Sequence, residues 1–246
     1  CGASSSELYP AEYFMRANAH KLRTGYFTAN EFNYATPAAC DDTAIVIACS
    51  LGGNTPETVA AAKLAREKGA VVISITHDAA SPLAANGDYV IVHGFEKNYA
   101  AKLEKMNNVM MLAVEVLNQY EGCELYEDMV NGYLHIYDAI ENAVSYVLPS
   151  AKQFAEDYKN ESIIYVMSTG ATERVAYSTS ICLLLEMQWV NSGFCNDGEF
   201  FHGPFEIVDK DVPYLLLMND GRTRAMDSRA LDFLNRFDAK TTVIDA

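Results

Sequence analysis

Basic residues are scarce in this sequence: 18 Lys and Arg face 33 Asp and Glu, a formal net charge of -15 over 246 residues. Such a balance repels nucleic acid and anionic membrane surfaces, so neither is expected as a partner. Any phosphate site must then be made locally, from backbone N–H groups and hydroxyls. Metal-type cysteine spacing is missing too. Cys1, Cys40, Cys49, Cys123, Cys182 and Cys195 contain no CxxC pair, and several sit among apolar residues. That usage suits reduced thiols in a cytoplasm and argues against a disulfide framework or a cysteine metal site. No apolar run approaches the roughly 20 residues that cross a bilayer, so a soluble protein is expected.

What is present is ordinary core material, 50% hydrophobic against 21% charged, enough for two modest cores or one large one. A faint internal repeat favours two. Cys1-Gly2-Ala3 is matched by Thr169-Gly170-Ala171, and Gly53-Asn54-Thr55 by Gly221-Arg222-Thr223, at one offset of 168 (170 − 2, 221 − 53, 223 − 55). The ends look cut: the chain opens on a glycine loop with no strand before it and closes on the strand 241–245 with no helix after it. A fragment is expected.

Residues 43–50, 70–77 and 88–93 are short β-branched runs, near-continuously apolar as in parallel strands covered on both faces. A helix over 56–67 lies between the first two, with Pro56 in its first turn and Thr55 placed to cap it. Strand, loop, helix and strand in that order predict an α/β fold with a doubly wound sheet and ligands at the carboxyl ends of the strands. Helical spacing takes over from 98 to 120 and from 124 to 158, with Gly122 between them and Pro149 interrupting the second stretch. A strand at 162–167, a long helix over 171–191, a strand at 212–218 and a helix over 224–237 begin the second copy.

Ser50-Leu51-Gly52-Gly53-Asn54-Thr55 joins an apolar strand to a helix N-terminus. Glycines let backbone turn closely round an anion, the N–H groups and helix dipole favour negative charge, and Ser50 and Thr55 offer hydroxyls. This makes a phosphate cradle without lysine; the plainer reading is a strand-to-helix turn capped by Thr55. Gly2-Ala3-Ser4-Ser5-Ser6 is a second hydroxyl-rich turn, with Gly2 and Ser4 placed to complete the same anion site, although serine clusters are common in loops.

Two further residues suit proton transfer. Glu186 follows Leu183-Leu184-Leu185, where an apolar surround would raise its pKa toward the useful range. His202, 16 positions on (202 − 186), sits in a loop bounded by Gly203-Pro204, where an imidazole can exchange a proton near neutral pH. Glu199 is the second carboxylate, placed to orient His202 or to hold its loop. Together they read as an enzyme; the bland alternatives are a surface glutamate and a packing histidine.

The pattern Ser50-x-x-Gly53-x-Thr55-x-Glu57-Thr58, followed by Ile75-Thr76 and by Ser81-Pro82-Leu83 before Asp88, resembles the sugar isomerase (SIS) domain. Glu199-x-x-His202-Gly203-Pro204 is similar to the second SIS domain of glucosamine-6-phosphate synthase and its deglycase relatives. The longer string from Glu186-Met187-Gln188-Trp189 through Gly198 to Val208 is most similar to fructoselysine-6-phosphate and fructosamine-6-phosphate deglycases. The synthase has a serine where this chain has Gly52, and its sugar-side serine corresponds to Ala101; its C-terminal lysine region lies beyond Ala246.

The resemblance implies two SIS-type αβα units: a first domain over 1–122 lacking its N-terminal strand, a connecting helix over 123–160, and a second domain over 161–246 lacking its C-terminal part. It implies a deglycase cleaving a 6-phosphorylated fructosamine of an amino acid. Ser50, Leu51, Gly52, Gly53 and Thr55, with Gly2, Ser4 and Glu199, would bind substrate; Glu186 would shuttle the proton, and His202 would assist ring opening from the neighbouring subunit of a homodimer. Neither metal nor organic cofactor is expected. An aldose-ketose isomerase keeps the same chemistry on another substrate, and a non-catalytic sugar-phosphate sensor is the alternative outside the enzymes.

Overall fold

The computed structural model describes residues 2–95 and 98–245. Cys1, matched above to Thr169, and Ala246, the end of the expected second domain, lie outside the described residues. The chain separates into two compact units, Ala3–Glu141 and the residues from Asn142 onward, with the division inside one helix.

The first unit holds a parallel sheet of three strands, β1 (Ile45–Cys49), β2 (Val71–Thr76) and β3 (Tyr89–Val92), in that spatial order. Ile45 pairs with Val71, and Ile73 with Tyr89. Its helices are α1 (Ala3–Ser6), α2 (Tyr9–Asn18), α3 (Ala29–Tyr34), α4 (Pro56–Glu67), α5 (Tyr99–Lys102), α6 (Glu104–Glu121), α7 (Tyr126–Leu134) and the start of α8 (Ile136–Tyr158). Because strand side chains alternate, Ala48 and Val72 face one way and meet Phe32 of α3 and the alanines 61, 62 and 65 of α4. Cys49 and Ile75 face the other way and meet Ala11 and Met15 of α2 and Val109, Ala113 and Leu117 of α6. The sheet is therefore covered on both faces, as the apolar runs predict. Its edge strand β3 is more open, with Tyr89 exposed.

In the second unit the parallel sheet runs β5 (Asn191–Asn196), β4 (Ile163–Ser168), β6 (Pro213–Met218), β7 (Lys240–Asp245). Helices α9 (Glu173–Ser178) and α10 (Arg224–Arg236) flank it. Val166 packs on one face with Ala176, Leu184, Leu215 and Leu217; Met167 and Leu216 pack on the other with Phe200, Ala230 and Leu234. Burying a leucine or phenylalanine of this kind contributes about 1.5–3 kcal/mol relative to leaving it in water. The faint repeat is structural: β6 and α10 begin 168 positions after β1 and α4 (213 − 45, 224 − 56), and β7 begins 169 after β2 (240 − 71).

Three sequence expectations fail here. Pro149 does not break the second helical stretch, since α8 runs through it; the break falls at His135, between α7 and α8. The helix expected over 171–191 ends at Met187, and Asn191 starts β5, a strand whose Asn-Ser-Gly-Phe-Cys-Asn sequence has little β-branched character. That helix is also mixed: a turn of 3-10 helix, α9, and then a π-helical stretch, Thr179–Met187. Short π segments are rare and are found often at functional sites.

Candidate active site

In the first unit the loop after β1 is tied to the sheet from beneath. The Ser50 N–H donates to the Ile75 carbonyl (3.2 Å), the His77 N–H and the Thr76 hydroxyl donate to the Leu51 carbonyl (2.8 and 3.0 Å), and the Leu83 N–H donates to the Gly53 carbonyl (3.0 Å). Gly53 lies at φ +65°, and a Cβ there would overlap the Ser81 side chain and stand 2.8 Å from the Thr76 hydroxyl. Only glycine fits both constraints. Gly52 faces open space, where a Cβ would find only the Asn54 amide nitrogen within 4 Å.

With its carbonyls used for anchoring, the loop leaves donors over. Among the described residues the N–H groups of Leu51, Gly52, Asn54 and Thr55 have no acceptor within the unit. They stand at the N-terminus of the twelve-residue helix α4, whose dipole adds to their attraction for an anion. Thr55 does not cap that helix through its side chain. Its hydroxyl instead meets Ser50 Oγ at 2.9 Å across the loop. The expected side-chain cap is corrected: the Thr55 backbone is extended as a cap requires, and its hydroxyl faces the turn. Thr58, one turn into α4, has a buried Oγ1 without a partner among the described residues; it belongs to the sequence pattern, but nothing in that pattern marks its hydroxyl for the site.

The serine turn contributes differently from expectation. Gly2 has φ +58°, and the Ser4 hydroxyl accepts from Lys105 Nζ at 2.9 Å. Lys105, on α6, is 3% exposed and pairs with Glu7 at 3.1 Å. Burial pushes the Glu7 carboxyl up, against the pull of Lys105. The same cation acts on Cys49 and His93, at the carboxyl ends of β1 and β3. Burial dominates at both, raising the thiol to about 12 and lowering the imidazole. So the loop itself lacks lysine, but a buried lysine stands at this sheet edge. Its sequence signal, a lone basic residue preceding the apolar face of α6, is weak. His77 donates through its Nδ1–H to the His93 carbonyl (3.0 Å), and the buried His93 Nε2 has no partner among the described residues.

In the second unit Glu186 lies near the end of the π-helical stretch and is exposed, with no ion pair or hydrogen bond among the described residues. The apolar surround expected for it is absent: Leu183, Leu185 and Met187 beside it are exposed as well. His202 closes a short 3-10 turn, Phe200–His202, before Gly203 at φ +140°. Its ring is solvent-facing. Glu199 does not orient it by a side-chain bond; the His202 N–H donates to the Glu199 carbonyl at 2.9 Å, so Glu199 holds the turn through its backbone. Phe200 underneath is fully buried, and Phe233 of α10 packs edge-on against Phe200, Phe201 and Phe205.

The second unit also contains the counterpart of the anion loop, between β6 and α10, where the Asn219 N–H donates to Asp227 and the Gly221 N–H donates to Asn219 Oδ1. Chain order reverses at β4, which has β5 on one side and β6 on the other, and such a switch point is where open α/β sheets bind ligands. Here the Asp227 carboxylate fills it. Thr169 Oγ1 donates at 2.5 Å, and the Asn219 N–H and Nδ2 donate at 2.9 and 2.6 Å. Thr223, the counterpart of Thr55, bonds to Thr169 at 2.9 Å. In one loop of the pair two hydroxyls meet across the turn, and in the other Asn219 is bound to an internal acid.

The SIS domain profile matches residues 24–117, the stretch that contains the open loop. Over all 246 residues the chain is 39% identical to the fructosamine deglycase FrlB of Bacillus subtilis (strain 168), covering 100% of this chain and 75% of that protein. The chain belongs to the SIS family. This SIS chain is also 27% identical over 215 residues to the fructoselysine 6-phosphate deglycase of Escherichia coli (strain K12), covering 87% of itself and 62% of that relative. A solved Salmonella typhimurium LT2 protein, described as a candidate phosphosugar isomerase, superposes with a TM-score of 0.96 at 41% identity, over 100% of this chain and 74% of that one. The C-terminal domain of glucosamine-fructose-6-phosphate aminotransferase from Francisella tularensis shares the fold, with a TM-score of 0.80 at 16% identity over 100% of this chain and 70% of that one.

Proposed function

We propose that this SIS chain is a deglycase that cleaves a 6-phosphorylated fructosamine of an amino acid into glucose 6-phosphate and the free amine. The observation that carries the reading is the 39% identity to a fructosamine deglycase along the whole of this chain. The four open N–H groups at the start of α4 support a phosphate-bearing substrate independently.

In this reading the phosphate sits on Leu51, Gly52, Asn54 and Thr55, with the Ser50, Thr55 and Thr58 hydroxyls beside it, and Gly53 gives the turn its shape. Gly2 and Ser4 form the second hydroxyl-rich turn of the substrate site, and Lys105 holds Ser4 in place. Glu186 takes a proton from C1 of the fructosamine, whose electrons form the C1–C2 double bond of an enaminol as the C2 carbonyl oxygen takes a proton from water and becomes a hydroxyl. The proton returns at C2 and the nitrogen gives up its N–H proton to water, leaving a C1 imine. Water adds to that carbon and the amine departs, giving the aldehyde of glucose 6-phosphate. His202 assists the opening of the sugar ring that exposes the C2 carbonyl. Glu199 keeps the His202 turn in shape. The working form in this reading is a homodimer in the cytoplasm, with His202 of the partner subunit completing each site.

A second reading has one specific observation in its favour, the 41% identity to the candidate phosphosugar isomerase. An isomerase would move the same proton between C1 and C2 of an unsubstituted sugar phosphate and release no amine. Incubation with fructosamine 6-phosphates and, separately, with fructose 6-phosphate divides the two. A deglycase frees amine and glucose 6-phosphate in equal amounts, whereas an isomerase only interconverts ketose and aldose phosphates.

A further inference from the structure

The loop that carries Glu199 and His202 begins with an acid that the proposed chemistry does not use. Asp197, just past β5, is 2% exposed, and neither of its carboxyl oxygens has a hydrogen-bond partner donating to it among the described residues. It lies within hydrogen-bonding reach of Asp227, on α10. Asp227 is fully buried and already accepts from Thr169 and twice from Asn219. Two buried carboxyl groups with nothing but each other on the shared side cannot both be ionised; a proton or a cation must stand between them. No cluster of three or more His, Cys, Asp or Glu side chains converges among the described residues, which leaves a cation short of ligands. Three donors already point at Asp227, and none points at Asp197.

We propose that Asp197 is a positioning residue: it is held as the neutral acid and donates its O–H to Asp227, and this bond fastens the Glu199–His202 turn to α10. The seam it closes is otherwise apolar and tight. Met226 of α10 stands where a side chain on Gly198 would go, with its terminal carbon 2.5 Å from that Cβ position, and Arg229 lies over the Phe201 ring at 3.9 Å. Among the described residues Asp197 supplies the one directional polar tie from the turn to the helix. Losing the proton would put a second charge beside Asp227 and loosen the turn without touching the aromatic contacts.

The other ionisable groups set against the pair do not supply a countercharge. Cys195, on β5, is itself raised to about 11, by burial first and then by Asp197 and Glu199. Arg224, on α10, interacts with Asp227 but spends its guanidinium on two bonds to Asp245, at 2.6 and 2.7 Å. Burial first, and then Asp227, holds the Asp197 carboxyl up at about 8, against an ordinary 3.8. A group raised in this sense stabilises the fold fully below its unfolded value and loses that contribution as pH climbs through its folded one. Stability therefore falls between about pH 4 and about pH 8 and is level above.

The structural part stands on its own; the consequence for turnover rests on the deglycase reading. The test follows Tm and deglycase activity of the parent, Asp197→Asn and Asp197→Ala from about pH 5 to about pH 10. Asparagine keeps a donor to Asp227 but cannot ionise. We expect the Tm of Asp197→Asn relative to the parent to rise steadily up to about pH 8 and then stay constant, and Asp197→Ala to melt below the parent at the acid end. We also expect the alkaline fall in parental kcat/KM to be absent from Asp197→Asn. A Tm difference between Asp197→Asn and parent that is the same at every pH would overturn the shared proton. The predicted Tm behaviour without any release of amine would keep the proton and remove the deglycase reading.

Discussion

Ser50 and Thr55, at the two ends of the loop between β1 and α4, join their hydroxyl oxygens at 2.9 Å. This contact spans the loop, in which four backbone N–H groups have no acceptor among the described residues. In the second unit the equivalent turn donates to Asp227 through Asn219.

Glycine at the two adjacent loop positions has different weight. Gly53→Ala forces a side chain into the Ser81 and Thr76 contact at positive φ, a strain of about 1–2 kcal/mol before any clash is counted. Affinity for fructose 6-phosphate, read by calorimetry, is expected to fall at least about tenfold. Gly52→Ala meets no close neighbour and is expected to bind within about threefold of the parent. Equal losses at both positions would remove the loop geometry from the explanation.

Lys105 holds Ser4 and Glu7 from a buried position. Replacing it with alanine leaves Glu7, three-quarters buried, without its cation. Removing one partner of a buried pair costs about 3–5 kcal/mol, reduced here by the remaining solvent access of Glu7 to about 2–3 kcal/mol. Denaturant unfolding checks this, and the double change Lys105→Met with Glu7→Leu is expected to recover most of the loss.

The shared-site homodimer proposed above predicts complementation. Glu186→Gln and His202→Ala are each expected to be nearly inactive, yet mixing them after subunit exchange should restore activity on the order of a quarter of the parental level, since half the dimers are mixed and each has one intact pair. No recovery in a mixture shown to contain heterodimers would place Glu186 and His202 of one site in a single subunit.

Much of the fold is legible in the residues. The helix over 56–67 follows from the sequence to the residue, and α10 to within one, because Pro56 fixes φ at the start of the first and a clear apolar stripe marks the second. The sequence signals fail where tertiary packing overrides propensity. Pro149 sits within a long, exposed helix that tolerates its missing N–H, and β5 forms from a polar, glycine-containing run because β4 offers it an edge. At the site, the open loop follows from its glycines and hydroxyls. The Asp197–Asp227 pair does not, since only folding brings the end of β5 against the first turns of α10, and nothing in either neighbourhood marks the acids as buried.

The most direct test of the proposed activity is release of glucose 6-phosphate from 6-phosphofructosyl-lysine and 6-phosphofructosyl-aspartate, with Glu186→Gln as control. Release by the parent is predicted, with kcat in the control down by about 10²–10⁴ and substrate affinity unchanged. Release that persists undiminished in Glu186→Gln would contradict the role of Glu186, and no release from either compound by a parent protein that still binds fructose 6-phosphate would contradict the deglycase itself.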